Sequence, residues 1–455
     1  MLLPFYSNFL VLVHPSESYA LEYRVLARPD AFGFLMCEVV CIHPSFSLKR
    51  QGNAYRIKWN YWSRNILIIH KMNTPSVVTG LKAIVYFLLK YFNAFIFLEK
   101  PSIEVLQADE EFRPILDAHF RHDRPLSSGD RKGSVTALEH VDLPPEITDA
   151  GKRPEQFWQA DTQMVNSESA IVVFDSQMIN EPSLTDMVIC MGGDGTLLHV
   201  ASLFQDTVPP IISFYMGSLG FLTPFNFADF PHVLEQIYNE GGPCILRSRL
   251  CCQMIRGKNS ELSSPPSIEL DSVGSQTGAD FFHILNEATF TRGNCPYLTI
   301  LALSVDGKEV TRFRGDGLII STPTGSTAYS MSAGASILNP AVPAILVTPI
   351  NAHSLSCRPL VLPFSTRLEV SIAPDARCDS VHLSNDGRLR HHHIIHKDDR
   401  VVFTASHYPV PCFGSENQVA DWFKDLALCL HWNARQRQNE FNEADFMPGR
   451  FHEYS

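Results

Sequence analysis

Met187-Val188-Ile189-Cys190-Met191-Gly192-Gly193-Asp194-Gly195-Thr196 is a short apolar run that turns through three glycines into a segment, Thr196 to Phe204, with helical apolar spacing. A run of strand length that is apolar throughout predicts a strand buried on both faces, as in a parallel sheet covered by helices. Glycines at the turn leave backbone N–H groups open to a phosphate, and the start of a helix adds partial positive charge. Asp194 is unexpected there. A carboxylate repels phosphate unless it contacts a metal or takes a proton from an attacking hydroxyl, which points to phosphoryl transfer. A plain Gly-rich turn with Thr196 as N-cap fits the same residues.

Working outward, Ile66-Leu67-Ile68-Ile69 and Ala170-Ile171-Val172-Val173-Phe174 are further buried-strand runs, and Leu81 to Tyr91 has helical spacing. Ala83 to Leu98 reads as an amphipathic helix running into a buried strand, and Leu2 to Val13 lacks the basic segment of a secretory signal. Strand-like segments follow Pro243: Leu246 to Ile255, Phe281 to Thr291, Leu298 to Val305, Gly317 to Ser321, Ala344 to Thr348 and Leu368 to Ala373. The fold expected is an N-terminal α/β domain, Rossmann-like, plus a mainly β C-terminal domain.

The expected divisions are an atypical extension over 1–60, removable without loss of fold, and an α/β domain over 61–242 carrying a disordered insertion over 102–166. A β-rich domain follows over 243–411, then a segment over 412–437 packing back on the α/β domain, and a tail over 438–455. The insertion is rich in Pro, Asp, Glu, Arg and Ser. Val419 to Leu430 is amphipathic, with Trp422, Phe423, Leu426 and Leu430 as its apolar stripe.

A second motif spans Phe313 to Ser330, where Arg314-Gly315-Asp316-Gly317 and Thr322-Pro323-Thr324-Gly325-Ser326-Thr327-Ala328-Tyr329 flank a strand. Small residues from Ser330 to Ser336, with hydroxyls on Thr324, Thr327 and Tyr329, suit a nucleoside shelf and suit close helix–sheet packing equally. Asn286-Glu287 lies in a strand-like run, and adjacent residues there reach one ligand only at a strand end or bulge.

The three motifs, in this order and spacing, resemble the NAD kinase family in its animal cytosolic form. Leu219-Gly220-Phe221-Leu222-Thr223-Pro224, Ser354 to Leu360, Asn385-Asp386-Gly387-Arg388 and Asp421-Trp422-Phe423 extend the resemblance over about Asn65 to Arg437. Ile350-Asn351-Ala352-His353 departs from the family's Ile-Cys-Pro-His form. The resemblance implies ATP-dependent phosphorylation of the adenosine-ribose 2′-hydroxyl of NAD to give NADP. It implies Asp194 as proton acceptor and Gly192, Gly193, Gly195 and Thr196 as the phosphate loop. It also implies Asn286, Glu287, Arg314, Asp316, Thr324, Thr327, Ala328, Tyr329 and Ser332 as NAD-binding residues. Mg²⁺ with unassigned ligands, ATP as donor and a homotetramer with sites completed between subunits are implied as well. Gly-Gly-Asp-Gly-Thr alone also resembles lipid and sugar kinases, and a catalytically silent NADP(H)-binding protein stays open.

Composition narrows the partners. The 455 residues carry a net charge of −11, which opposes duplex nucleic acid or an anionic membrane as the main partner. Eleven cysteines with no Cys-x-x-Cys pair resemble neither a disulfide framework nor a zinc ribbon, so a reducing, cytoplasmic setting is expected. His391-His392-His393 with His396 alternates faces and is not read as a metal site, and Arg247, Arg249, Arg292, Arg358 and Arg388 are read as surface ion pairs.

Overall fold

A computed structural model of the chain describes residues 22–29, 35–42, 46–51, 54–59, 65–121, 169–175, 179, 184–257, 281–415 and 418–432. Five parallel strands form the centre of one sheet, in the order Ala170–Val173, Phe95–Leu98, Asn65–His70, Met187–Gly192, Ile211–Tyr215. Alternation along Asn65–His70 explains why every residue is apolar or buried. Ile66 and Ile68 enter a core beneath the helices Pro75–Tyr91 and Phe230–Glu240, while Leu67 and Ile69 enter a second core with Leu197, Val200 and Ala201 of the helix Asp194–Leu203. Both faces are covered, as parallel sheets require.

Crossovers leave this sheet in two directions. From Asn65–His70 the chain passes to Phe95–Leu98 on one side, and from Met187–Gly192 to Ile211–Tyr215 on the other. The two adjacent strands therefore flank the topological switch point, the place where α/β sheets open a ligand crevice beyond their carboxyl ends. Lys71 and the Gly192–Thr196 loop stand there, with the Lys71 amide bonded to the Met191 carbonyl at 2.9 Å.

Several expected divisions move. The stretch read as an appendage contributes the hairpin Phe46–Gln51 and Ala54–Trp59, whose second strand pairs with Gly242–Arg247 in the main sheet. Phe46, Ile57 and Trp59 are buried in the α/β core, and Trp59 Nε1 donates to the Ile237 carbonyl at 2.7 Å. Strands Glu22–Pro29 and Leu35–Ile42 extend this sheet edge. Residues 102–121, expected to be disordered, are ordered: most of them form the helices Lys100–Ala108 and Arg113–His119, which bury Ile103, Leu106, Ile115 and Leu116. Most of the remaining expected insertion, and the 438–455 tail, lie outside the described residues. Leu246 to Ile255 is two elements, since Gly242–Arg247 stays in the α/β sheet and Leu250–Ile255 opens the next domain. The return comes at Val410–Phe413, which inserts between Ile211–Tyr215 and Gly242–Arg247.

The β domain is a sandwich of two six-stranded sheets. Leu250, Cys252, Leu301, Leu303, Val370 and Phe403 of one face Phe290, Leu318, Ile320, Val347, Val381 and Leu383 of the other. Two cysteines also depart from the expectation of free thiols: Cys295 and Cys378 pair as a disulfide with Cα atoms 6.4 Å apart.

The last helix, Gln418–Leu430, packs against Gly242–Arg247 and returns to the α/β domain as expected, with Leu426 of the expected stripe buried and Trp422 and Leu430 half-buried. Asp421, Asp425 and Leu426 are buried while Phe423 is 49% exposed. The buried face centres on positions 421, 422, 425, 426 and 429, so of the expected stripe only Phe423 points away from it. Among the described residues no helix is long and apolar enough to cross a membrane.

Candidate functional site

The helix after the glycines begins at Asp194 itself, with Gly193 and not Thr196 in the N-cap position. Asp194 thus sits in the first helical turn, where its carboxylate is held from outside the helix. Its Oδ2 accepts the Phe221 amide at 3.1 Å and its Oδ1 the Leu222 amide at 3.0 Å. Ionised carboxylates offer about four acceptor positions, so both oxygens keep one free. Gly220 is required by this contact, because a Cβ there would overlap the carboxylate. A Cβ on Gly193 or Gly195 would meet nothing within 4 Å, so that face of the loop is open to a ligand.

A second cluster forms where two strands of different sheets meet. Phe281–Ile284 ends in one sheet and Glu287–Thr291 begins in the other, so Asn286 and Glu287 stand at a strand start, the geometry that lets neighbours share a ligand. The Thr322–Thr327 turn packs on this junction: Thr322 Oγ1 donates to the Leu285 carbonyl at 2.6 Å and the Thr322 amide to the Asn286 carbonyl at 3.0 Å. Gly325 lies so close to the Asn286 carbonyl that a Cβ would overlap it. Asp386, from the Asn385-Asp386-Gly387 turn, fixes the junction from below by accepting the amides of Leu285, Asn286 and Glu287 at 2.9, 2.6 and 3.2 Å. Glu287 also accepts the Tyr329 amide. Asn286 Oδ1 and Glu287 Oε2 remain buried without a hydrogen-bond partner, the condition of groups that await one. Burial pushes the Glu287 carboxyl up to about 8, helped by the nearby Asp386.

A cleft lies between the residues that hold Asp194 and the turn that packs on Asn286. Phe221 and Leu222, which hold Asp194, form one wall, and Thr324 and Thr327 form another with Pro323 and Pro340. Arg247, Asp421, Trp422 and Asp425 close it from the α/β side. Thr324 is buried, Thr327 and Ala328 are half-buried, and Tyr329 and Ser332, on the short helix Tyr329–Ser332, are exposed.

Arg314 and Asp316 are not brought to this cleft. They precede the strand Gly317–Ser321, whereas the Thr322–Tyr329 turn follows it, so the length of that strand, about 17 Å, separates them. Asp316 there pairs with Arg292 at 2.8 Å and accepts Asn351 Nδ2 at 2.9 Å. Asn351, at the position departing from Ile-Cys-Pro-His, takes a left-handed φ of 46°, which asparagine tolerates. Arg314 is largely exposed, 3.7 Å from Asp375.

The family model of the ATP-NAD kinase N-terminal domain matches residues 66–242, and that of the ATP-NAD kinase C-terminal domain matches residues 285–413. The chain belongs to the NAD kinase family. NAD kinase 2, chloroplastic, of Arabidopsis thaliana is 40% identical over 258 residues, 56% of this chain and 24% of the plant protein. ATP-NADH kinase YEF1 of Saccharomyces cerevisiae is 41% identical over 262 residues, 57% of this chain and 51% of the yeast protein. The chain therefore spans from a quarter to half of the length of these relatives. Yeast NADH kinase, solved in complex with NADH, superposes with a TM-score of 0.64 at 28% identity, covering 88% of this chain and 97% of that one.

Within this NAD kinase framework, sequence reasoning missed the placement of three residues, of which Arg247 lines the cleft. Lys71 directly follows the strand Asn65–His70, and only the switch-point topology singles it out. Arg247 and Arg249, read as surface charges, are 5% and 0% exposed. Arg249 spends its guanidinium on the carbonyls of Ala201, Phe204, Gln205, Asp206 and Tyr408, at 2.5 to 3.3 Å, and so satisfies the C-terminal end of the Asp194–Leu203 helix. The five-carbonyl pattern has no local sequence signal.

Proposed function

We propose that the protein is an ATP-dependent NAD kinase that phosphorylates the adenosine-ribose 2′-hydroxyl of NAD to give NADP. The observation that carries the reading is the Asp194 carboxylate, fixed by the Phe221 and Leu222 amides beside a cleft whose other wall is the Thr324–Thr327 turn. In this reading the 2′-oxygen attacks the γ-phosphorus of ATP, Asp194 takes the hydroxyl proton, and ADP leaves. Phosphoryl transfer of this kind draws its rate from positioning and charge neutralisation. The open Gly193–Gly195 face, with Lys71 beside Gly192 at the switch point, is suited to the phosphates. Asn286 and Glu287 offer their unpartnered oxygens to the nucleoside, with Thr324, Thr327, Ala328 and Tyr329 as its shelf and Ser332 beyond.

Among the described residues no three His, Cys, Asp or Glu side chains gather to hold a metal ion, and Mg²⁺ is proposed to enter with ATP, on the phosphate oxygens. Arg314 and Asp316, a strand's length away, are assigned to the site of a neighbouring copy. A homotetramer is thereby part of the proposal, and sedimentation equilibrium giving a monomer would contradict it. A cytoplasmic location belongs to the same proposal; the free thiols of Cys190, Cys252 and Cys412 agree with it and the Cys295–Cys378 disulfide does not.

The decisive assay gives purified protein Mg-ATP with NAD, diacylglycerol or sphingosine in turn. NADP formation, read by a coupled dehydrogenase, is expected with NAD. Phosphorylated lipid would point to a lipid kinase, and NADP(H) binding without turnover to a silent binder.

A further inference from the structure

The segment Leu219–Leu222 that clamps Asp194 is itself clamped, and by elements remote from it in sequence. Arg247 Nη2 donates to the Phe221 carbonyl at 3.2 Å, the same residue whose amide reaches Asp194. Ser213 Oγ donates to the Leu222 carbonyl at 2.8 Å, and Cys429 Sγ of the last helix approaches the Leu219 carbonyl at 3.4 Å. Of these three, Arg247 alone is charged, and it is held at the end of Gly242–Arg247 in a place that is only 5% exposed. Arg247 also bonds the Cys412 thiol, and Asp421 and Asp425 of the last helix line the same cleft, where burial pushes the Asp425 carboxyl up to about 7 against the opposing pull of Arg247. The Cys429 contact thus ties the last helix to the segment that holds Asp194.

We propose that Arg247 is a positioning residue for Asp194: by gripping the Phe221 carbonyl it orients the Phe221 and Leu222 amides. The inference rests on the reading of Asp194 as proton acceptor. Arg247 touches no reacting atom in this scheme. Its removal therefore disturbs turnover more than nucleotide affinity, since a carboxylate displaced by about 1 Å costs on the order of 10²-fold in rate.

The test uses the full chain with Arg247→Met and Arg247→Lys, each alone and with Asp194→Asn. Arg247→Met should lower kcat by about 10²-fold while KM for NAD changes less than about threefold. Lysine, a point charge without a planar fork, should recover part of kcat. In the Asp194→Asn background neither change should lower kcat further, because the group being positioned is already disabled. A multiplicative loss in the double variant, or an unchanged kcat with lowered melting temperature, would make Arg247 merely structural. A raised KM alone would make it a ligand contact.

Amide hydrogen exchange supplies a readout that needs no activity. Phe221 and Leu222 should exchange at least about tenfold faster in Arg247→Met and to a lesser degree in Arg247→Lys. Unchanged protection in both variants overturns the inference, even if wild-type protein makes NADP. Lost protection upholds the grip even if it makes none, in which case the kinase reading alone falls. If Arg247→Met does not fold, Arg247→Lys, which keeps the charge, decides both measurements.

Discussion

Asp386 accepts the amide of Glu287 at 3.2 Å while its own amide donates to the Glu287 carbonyl at 2.9 Å, so the two residues lock each other at the strand start. Both carboxyls are pushed up, chiefly by burial, and Glu287 reaches about 8. Three amides favour charge on Asp386, which leaves Glu287 as the protonated partner at neutral pH.

A protonated Glu287 can donate a hydrogen bond to bound NAD below about pH 8, and that ability is lost as pH rises through this value. We expect kcat/KM for NAD to fall above it. Glu287→Gln, neutral throughout, should keep activity within about tenfold and lose that alkaline limb. A limb unchanged in the variant would assign it to another group.

The hairpin Phe46–Gln51 and Ala54–Trp59 is structural. Trp59→Ala removes a buried ring and its bond to the Ile237 carbonyl, and should cost about 3–5 kcal/mol in urea unfolding. Deleting residues 1–60 should abolish soluble expression. A fully stable deletion would return this stretch to the status of an appendage.

Arg249→Met strands several carbonyls at the end of the Asp194–Leu203 helix, each carrying a desolvation cost of about 1–3 kcal/mol, partly relieved by water. A loss of at least about 3 kcal/mol is expected by chemical denaturation. A change under about 1 kcal/mol would mean that the carbonyls rehydrate freely.

Gly220→Ala places a methyl where the Asp194 carboxylate lies. Turnover should fall by about 10²-fold with a melting temperature within a few degrees of wild type, since the loop can shift without unpacking a core. Normal turnover would show that the carboxylate position is not critical.

The parallel centre of the fold was legible because its strands are apolar on both faces, and the glycine loop because a buried run turns through glycines into a helix. The Phe46–Trp59 hairpin was not. Its strands bury one face only, so Lys49, Arg56 and Lys58 on the other masked Ile57 and Trp59. Helices over 100–119 were obscured by Pro101, Pro114 and their charged neighbours, yet proline suits a first helical turn, where both stand. Asn286 and Glu287 could be named from the motif, but their meeting with Thr322–Tyr329 depends on chain segments far apart. The separation of Arg314 and Asp316 from the cleft follows from the strand between them, and that strand was visible in the sequence.

The most direct test of the account compares Asp194→Asn with wild type. Asparagine preserves shape and accepts the Leu222 or Phe221 amide, but takes no proton. The account predicts that kcat for NADP formation falls by roughly 10² to 10⁴ while the dissociation constant for NAD stays within about threefold. Near-normal kcat in the variant would contradict it.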